Sequence, residues 1–193
     1  MCGCVYAAYS SLQPPKYNVE LGYLIDGVAS YPLPCQDYAP GSSCLEQVDA
    51  GQNNSLIVRY SVKEGYSVNV TSTVRIQACY GPDNIVDRPW RKYNDVVSKN
   101  KQCSVDLGAN LPPEGSFAYV IGPNSAPSVY SIEVIEVCED GSYCAMGTSP
   151  GYFQVQPINS RPPWLMALTG VFSVIGPSIL VGFFVWEFKV KKA

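Results

Sequence analysis

The sequence predicts a mainly β fold, a disulfide-stapled sandwich of two sheets, followed by one C-terminal transmembrane helix. Short segments rich in Val, Ile, Tyr and Phe alternate with turn residues, as in all-β domains. Eight cysteines are spread through 193 residues. Leu165–Val185 contains no charged residue, which is the signature of a membrane-spanning helix.

The membrane segment is the clearest of these signals, and we place the transmembrane helix at residues 164–186. A helix of 21 residues rises roughly 32 Å, about the thickness of a bilayer's hydrocarbon core. Trp164 and Trp186 flank the apolar run, where interfacial aromatic residues are expected. Gly176-Pro177 in its middle predicts a kink against which a neighbouring helix can pack. A buried helix of a soluble protein is the alternative, but such helices normally carry a polar stripe.

Charge fixes the predicted orientation of this helix. The tail, residues 187–193, contains Lys189, Lys191 and Lys192. The positive-inside rule therefore places the tail in the cytoplasm and residues 1–161 outside or in the lumen. Such a topology needs a signal peptide, and Met1–Leu12 has neither a basic start nor a sustained apolar run. We therefore expect the chain to begin downstream of its true start.

The cysteines predict a disulfide framework, because the domain is expected to be exported. They lie at positions 2, 4, 35, 44, 79, 103, 138 and 144. Cys138 and Cys144 flank a turn-rich segment and can staple a hairpin, whereas Cys35 and Cys44 bracket Pro40-Gly41 and can close a small loop. A bridge between Cys79 and Cys103 would close a long loop and stabilise the fold by about 3 kcal/mol. Spacing alone leaves the pairing open, since eight cysteines allow about 105 connectivities.

Two N-glycosylation sequons begin at Asn53 and Asn69, both in the part predicted to be external. The chain has no histidine, which removes histidine bases, Ser-His-Asp and Cys-His arrangements and histidine-containing zinc sites. No CxxC pair is present either. We therefore expect no catalytic, cofactor or metal site, no enzymatic activity and no nucleic-acid partner.

The strand pattern predicts an immunoglobulin-like or fibronectin-like sandwich at residues 51–161, preceded by an irregular N-terminal region at residues 1–50. The N-terminal region contains one strand candidate, Val19–Ile25. The predicted strands of the sandwich are Leu56–Val62, Thr73–Tyr80, Ser116–Ile121, Val129–Cys138 and Tyr152–Gln156. Alternation from Tyr130 to Val134 is typical of a half-buried strand. Tyr130, early in a late strand, is placed like the tyrosine corner of Greek-key sandwiches.

Asp87–Val97 departs from this pattern and predicts one short helix. Pro89 suits a first helical turn and Asp87 can cap it. Arg91 and Asp95 stand at i and i+4, where they can pair. The segment is rich in basic residues, which are Arg88, Arg91, Lys92, Lys99 and Lys101 between the two flanking cysteines. Trp90 is then either a binding hot spot or a core residue behind a solvated helix face.

These residues carry a resemblance to a known family. Cys79-Tyr80-x-Pro82, Val86-Asp87-Arg88-x-Trp90-Arg91-Lys92 and Lys101-x-Cys103 resemble the signature of the accessory proteins of high-affinity nitrate transport in plants and green algae. Phe153-x-Val155-Gln156-x-Ile158-x-x-Arg161 before a terminal apolar helix is similar to the same family. The resemblance covers about residues 56–193. Residues 1–50 and the pair Cys138 and Cys144 lie outside it.

The resemblance implies a non-catalytic subunit that binds a multi-spanning nitrate transporter of the major facilitator type. It implies that the subunit stabilises this transporter and brings it to the plasma membrane by way of the endoplasmic reticulum. It also implies a bridge between Cys79 and Cys103. We predict that the docking surface is formed by Arg88, Trp90, Arg91, Lys92 and Asp95.

Two other functions remain open at this stage. One is a single-pass immunoglobulin-like adhesion or receptor ectodomain without a transporter partner, although the tail at 187–193 is too short for a signalling module. The other is direct anion sensing by Arg88, Arg91 and Lys92, which ranks lower because an exposed basic cluster holds monovalent anions weakly in water.

Overall fold

The computed structural model divides into two compact units, Met1–Ile158 and Asn159–Ala193. The first is built from β-strands and the second contains one long helix. The structure describes residues 7–12, 14–25, 28–30, 47–51, 54–67, 69–86, 88–157 and 163–192.

Within these described residues, the first unit contains two sheets. Its strands, in chain order, are β1 (Tyr17–Ile25), β2 (Val28–Ser30), β3 (Gln47–Asp49), β4 (Ser55–Val62), β5 (Thr73–Tyr80), β6 (Val105–Leu111), β7 (Gly115–Val120), β8 (Ser128–Val137), β9 (Tyr143–Thr148) and β10 (Phe153–Gln156). One sheet has the order β2-β1-β4-β7, and the other has the order β3-β10-β8-β5-β6 with β9 added beside β8. The predicted mainly β architecture is confirmed.

The structure extends the sandwich N-terminally of residue 51. β1 contains the strand predicted at Val19–Ile25 within the otherwise irregular region. It pairs antiparallel with β4 from Tyr17 opposite Val62 to Leu24 opposite Ser55. β2 and β3 also come from this region. The sequence pattern there is weak because β2 and β3 are only three residues long each, too short to show a period of two.

The core lies where the two sheets face each other. Val58 and Tyr60 of β4 pack into the same cluster as Ile76 of β5 and Ile132 and Val134 of β8, and all are almost completely buried. Each such side chain contributes about 1.5–3 kcal/mol on leaving water. β8 is buried on both faces, so the half-buried strand predicted from Tyr130 to Val134 is wrong. A second layer of chain must cover its outer side.

Two close contacts fix the strands around this core. The Tyr130 hydroxyl donates to the carbonyl of Ala126 at 2.8 Å, which is the tyrosine-corner bond expected from its position. Gly147 of β9 crosses β1 so closely that an added Cβ would lie 2.5 Å from the Cβ of Tyr17. No side chain fits there, so glycine lets the two sheets approach at this edge.

The β8–β9 hairpin is covalently closed. Cys138 and Cys144 form a disulfide, and the Cys138 amide donates to the Ser142 carbonyl at 2.8 Å. Gly141 in the turn has a φ of 80°, a left-handed conformation that glycine adopts without strain. The hairpin staple inferred from the spacing of these cysteines is therefore present.

The second unit contains α1 (Pro163–Lys191), 29 residues long. Its length and composition are those of a membrane-spanning helix, and its apolar side chains are exposed on all sides, as a lipid-facing helix requires. The helix runs through Pro177. The hydroxyls of Thr169 and Ser178 donate to carbonyls one turn earlier, so these polar groups are satisfied within the helix.

Candidate partner-docking site

The residues predicted to bind a partner lie in one long connection between β5 and β6, residues 81–104, called the docking loop here. A disulfide between Cys79 and Cys103 joins its two ends, the pairing that the family resemblance implies. The Tyr80 amide also donates to the Gln102 carbonyl at 2.9 Å, and the Gln102 side-chain amide donates back to the Tyr80 carbonyl at 3.0 Å. The base of the loop is therefore held by covalent and hydrogen bonds together.

The loop does not form the single helix predicted over Asp87–Val97. It contains three short 3-10 turns, at Pro82–Asn84, Pro89–Arg91 and Val97–Lys99. The turn at Pro89–Arg91 has no side-chain cap, and the backbone at Lys92 is already extended with ψ of 137°. Farther along, Val96 pairs with Ala8 in an antiparallel bridge. This tertiary pairing competes with helical hydrogen bonds. The predicted cap, Asp87, lies outside the described residues.

Arg91 has a different environment from the one predicted. Its guanidinium lies 3.7 Å from the centroid of the Tyr80 ring, a cation–π contact. Its Nη1 atom is buried and has no hydrogen-bond partner among the described residues. The Asp95 carboxylate instead accepts hydrogen bonds from the Ser10 hydroxyl at 3.2 Å and from the Tyr93 hydroxyl at 3.3 Å. The predicted i,i+4 pairing of Arg91 with Asp95 is therefore replaced by two separate anchors.

Trp90 is on the surface rather than in the core, with 63% of the residue exposed. Val86, at 87%, and Tyr93, at 51%, are also exposed on this loop. Val86 and Tyr93 are not among the contact residues that the sequence predicts. Their signal was present, since both are large apolar residues in a segment without strand periodicity. Three exposed residues of this kind within one short stretch of a loop are typical of a protein contact site.

Basic side chains accompany this apolar group. Lys92, Lys99 and Lys101 are exposed and Arg88 is half-buried. The Arg88 amide donates to the Ile85 carbonyl at 3.1 Å, and the Arg88 carbonyl accepts from the Arg91 amide at 2.8 Å. The loop therefore carries exposed apolar side chains together with more basic than acidic residues, which favours a partner surface that is apolar and acidic.

A buried carboxylate lies behind the loop. Glu133 of β8 is 3% exposed and accepts hydrogen bonds from the Tyr9 hydroxyl at 2.9 Å and from the Gln77 side-chain amide at 2.6 Å. Burial raises the pKa of Glu133, and these two hydrogen bonds oppose the rise. The Cys79 and Cys103 sulfurs lie beside this carboxylate, but they are joined to each other and offer no thiolate to a metal.

The remaining predicted sites are described only in part. Asn69 is exposed on the β4–β5 connection, and its side-chain oxygen accepts from the Thr71 amide at 3.2 Å and the Thr71 hydroxyl at 2.8 Å. Asn53, Cys35 and Cys44 lie outside the described residues. Use of the two sequons stays a prediction.

Comparison with known proteins points to one family. Residues 38–160 match the family model described as high-affinity nitrate transporter accessory, Ig-like domain. High-affinity nitrate transporter-activating protein 2.1 of Oryza sativa subsp. japonica is 29% identical over 153 residues, which cover 76% of this chain and 74% of the rice protein. High-affinity nitrate transporter 3.1 of Arabidopsis thaliana is 30% identical over 122 residues, which cover 59% of this chain and 58% of that protein.

The matched region includes the whole docking loop with its disulfide, and it also includes the tyrosine corner. Among solved structures, the PmoD soluble domain from Methylocystis overlaps 72% of this chain and 90% of that domain, with 12% identity and a TM-score of 0.35. Because the family model spans well over half of its residues, this chain belongs to the family of high-affinity nitrate transporter accessory proteins with an Ig-like domain.

Proposed function

We propose that this chain is a non-catalytic accessory subunit of high-affinity nitrate uptake, which binds and stabilises a multi-spanning nitrate transporter of the major facilitator type. The observation that carries the proposal is the exposure of Val86, Trp90 and Tyr93 on the docking loop. This loop lies within the region that matches the family of transporter accessory proteins. A large apolar group of this kind costs free energy in water and is covered in a complex. The name of the rice relative, a transporter-activating protein, agrees with this role.

The docking surface that we propose differs slightly from the set predicted from sequence. Trp90 and Tyr93 are its apolar centre, Val86 extends it, and Arg88 and Lys92 supply charge at its edge. Arg91 and Asp95 support the loop from behind, because their side chains already contact Tyr80, Ser10 and Tyr93. The partner contact in this proposal is mainly apolar, with charge setting orientation.

The proposed location is the plasma membrane, reached through the endoplasmic reticulum. The β unit would lie outside, α1 would cross the bilayer, and the lysines after Trp186 would remain in the cytoplasm, as the positive-inside rule requires. The disulfides at Cys79–Cys103 and Cys138–Cys144 support an oxidising compartment for the β unit. Contact between α1 and transporter helices would add to the docking-loop contact.

Capture of the transporter from membranes tests this proposal. The full chain, tagged after residue 193, is co-expressed with a high-affinity nitrate transporter, and the transporter recovered with it is quantified. Trp90→Ala should lower recovery at least about 30-fold, since truncating a hot-spot aromatic costs about 2 kcal/mol or more. The exposed side chain of Trp90 leaves the fold intact when it is removed.

Tyr66→Ala is the matched control, because Tyr66 is a 43% exposed aromatic residue on the β4–β5 connection. It should leave recovery unchanged. Normal recovery with a well-expressed Trp90→Ala protein would remove the docking loop from the contact. Failure of the unsubstituted chain to recover any nitrate transporter would contradict the accessory function itself.

A further inference from the structure

The segment Ala7–Leu12, called the strap here, crosses the outer face of the β8 sheet. Tyr9–Leu12 form a 3-10 turn with Tyr9 and Leu12 buried. These side chains pack with Ile135 of β8 and Met146 of β9 in a second hydrophobic cluster, separate from the core between the sheets. The strap lies N-terminal to the residues 38–160 that match the family model, so the family comparison assigns it no role.

The strap is bonded directly to the docking loop. The Tyr9 amide donates to the Asp95 carbonyl at 2.8 Å, and the Val97 amide donates to the Ala7 carbonyl at 3.1 Å. Val97 is itself buried in the cluster beneath the strap. The docking loop therefore gains, at Asp95–Val97, a short antiparallel pairing that it cannot make within itself.

A hydrogen-bonded chain ties this pairing to the sheet. The Tyr9 hydroxyl donates to the Glu133 carboxylate at 2.9 Å and accepts from the Asn100 side-chain amide at 3.0 Å. Gln77 of β5 donates to the same carboxylate oxygen at 2.6 Å. Tyr9 thus joins three parts of the fold, namely the strap, the docking loop through Asn100 and the sheet through Glu133. A hydrogen bond to a buried carboxylate is stronger than one between neutral groups.

The strap also contacts the surroundings of the surface residue Tyr93. Its hydroxyl donates to the Asp95 carboxylate, which also accepts from Ser10 of the strap, and its ring lies 5.8 Å from the ring of Tyr9. Displacing the strap would therefore remove the Tyr9 ring beside Tyr93 and the Ser10 bond to Asp95, the residue that holds the Tyr93 hydroxyl. Trp90 precedes Tyr93 in the part of the loop between the disulfide at Cys79 and the strap-bonded residues Asp95–Val97.

We propose that the strap is a positioning element of the docking surface, and that Tyr9 is its central positioning residue. This inference rests on the proposed function of the docking loop. The strap touches no partner atom in the proposal. It holds the middle of the loop against β8, so that Tyr93 and Trp90 are presented in a defined place before the partner arrives. Ordering the loop in advance lowers the entropy cost of binding.

Tyr9→Phe in the full chain tests this inference, because it removes one hydroxyl and keeps the buried ring. Amide hydrogen exchange and transporter recovery are measured together. Exchange at Val97 should rise about tenfold and recovery should fall about tenfold, the change expected for one hydrogen bond to a charged group. Exchange in β4 should stay unchanged. Tyr66→Phe, an exposed tyrosine on the β4–β5 connection, is the matched control and should change neither quantity.

Ser10→Ala is the second variant. It removes only the exposed hydrogen bond to Asp95 and leaves no cavity in the core. It should lower recovery by about threefold to fivefold and leave melting unchanged.

Unchanged recovery in both variants would overturn the positioning role, even if exchange at Val97 rises. The Trp90→Ala variant in the same assay separates the two proposals. Loss with Trp90→Ala and none with Tyr9→Phe refutes the strap alone, whereas normal recovery with Trp90→Ala refutes the docking loop.

Discussion

Arg91 is the residue whose predicted and observed environments differ most, and its replacement discriminates between them. The sequence assigned it to the partner surface, whereas its guanidinium lies 3.7 Å from the Tyr80 ring centroid. A cation–π contact is worth about 0.5–1 kcal/mol when exposed and about 2 kcal/mol when desolvated. Arg91 is half-buried, so we expect Arg91→Ala to lower the free energy of unfolding by about 1–2 kcal/mol. For a chain of this size that corresponds to a melting temperature lower by about 2–8 °C.

Thermal unfolding of the full chain in detergent, followed by the signal of the β unit, measures this change. Arg91→Lys should restore only part of the stability, because an ammonium group lacks the planar face that stacks on an aromatic ring. Tyr80→Leu combined with Arg91→Ala should cost less than the two single changes added, since both remove the same contact. Arg59→Ala is the control, because Arg59 is exposed and lies 3.7 Å from Glu20 in a surface ion pair of about 0–1 kcal/mol.

A supporting role for Arg91 is wrong if Arg91→Ala melts like the unsubstituted chain and nevertheless loses the transporter completely. That result would return Arg91 to the partner surface, as the sequence predicted. Loss of stability with only a partial loss of transporter recovery is the outcome expected of a supporting residue.

Two further predictions concern the framework behind the loop. Tyr130→Phe removes the 2.8 Å bond to the Ala126 carbonyl and should cost about 1–2 kcal/mol in thermal unfolding, whereas an unchanged melting temperature would show that the tyrosine corner adds no stability. Burial raises the pKa of Glu133 above its ordinary 4.5, so its contribution to stability is complete below that pH and is lost as pH rises through the raised pKa. Glu133→Gln should therefore flatten the pH dependence of stability above pH 4.5, and identical pH profiles for the two proteins would contradict this assignment.

Several strands were predictable because their own residues carry the signal. β4, β5 and β8 are rich in β-branched and aromatic residues, and such segments need no distant information to be recognised. β6 contains Gly108 and Asn110, and Asn110 has a φ of 56°. Its register with β5 shifts twice. β6 is a strand because β5 and the Cys79–Cys103 bridge hold it in place. These contacts cannot be predicted from the residues of β6 alone.

The docking loop shows the same limit at the functional site. The helix over Asp87–Val97 is predicted from local signals, namely Pro89 in a first turn with Asp87 as its cap and the i,i+4 spacing of Arg91 and Asp95. The contacts that decide the real conformation come from far away in sequence. Tyr9 lies 124 residues from Glu133, and Ser10 lies 85 residues from Asp95. Local sequence patterns cannot predict contacts between residues so far apart in the chain, and such tertiary contacts override local helix propensity.

The arrangement of anchors explains how so long a loop can present an ordered surface. Cys79 and Cys103 are separated by 24 positions in sequence, and fixing the backbone of each residue costs about 1–2 kcal/mol. A loop bonded only at its ends would pay much of this cost when a partner binds. Here the disulfide fixes both ends, Arg91 fixes the first half against Tyr80, and the strap fixes the second half at Asp95–Val97. Trp90 and Tyr93 lie between these anchors. The entropy cost is thus met during folding, where the core between the sheets offsets it, and the apolar contact energy of the exposed residues remains for the partner.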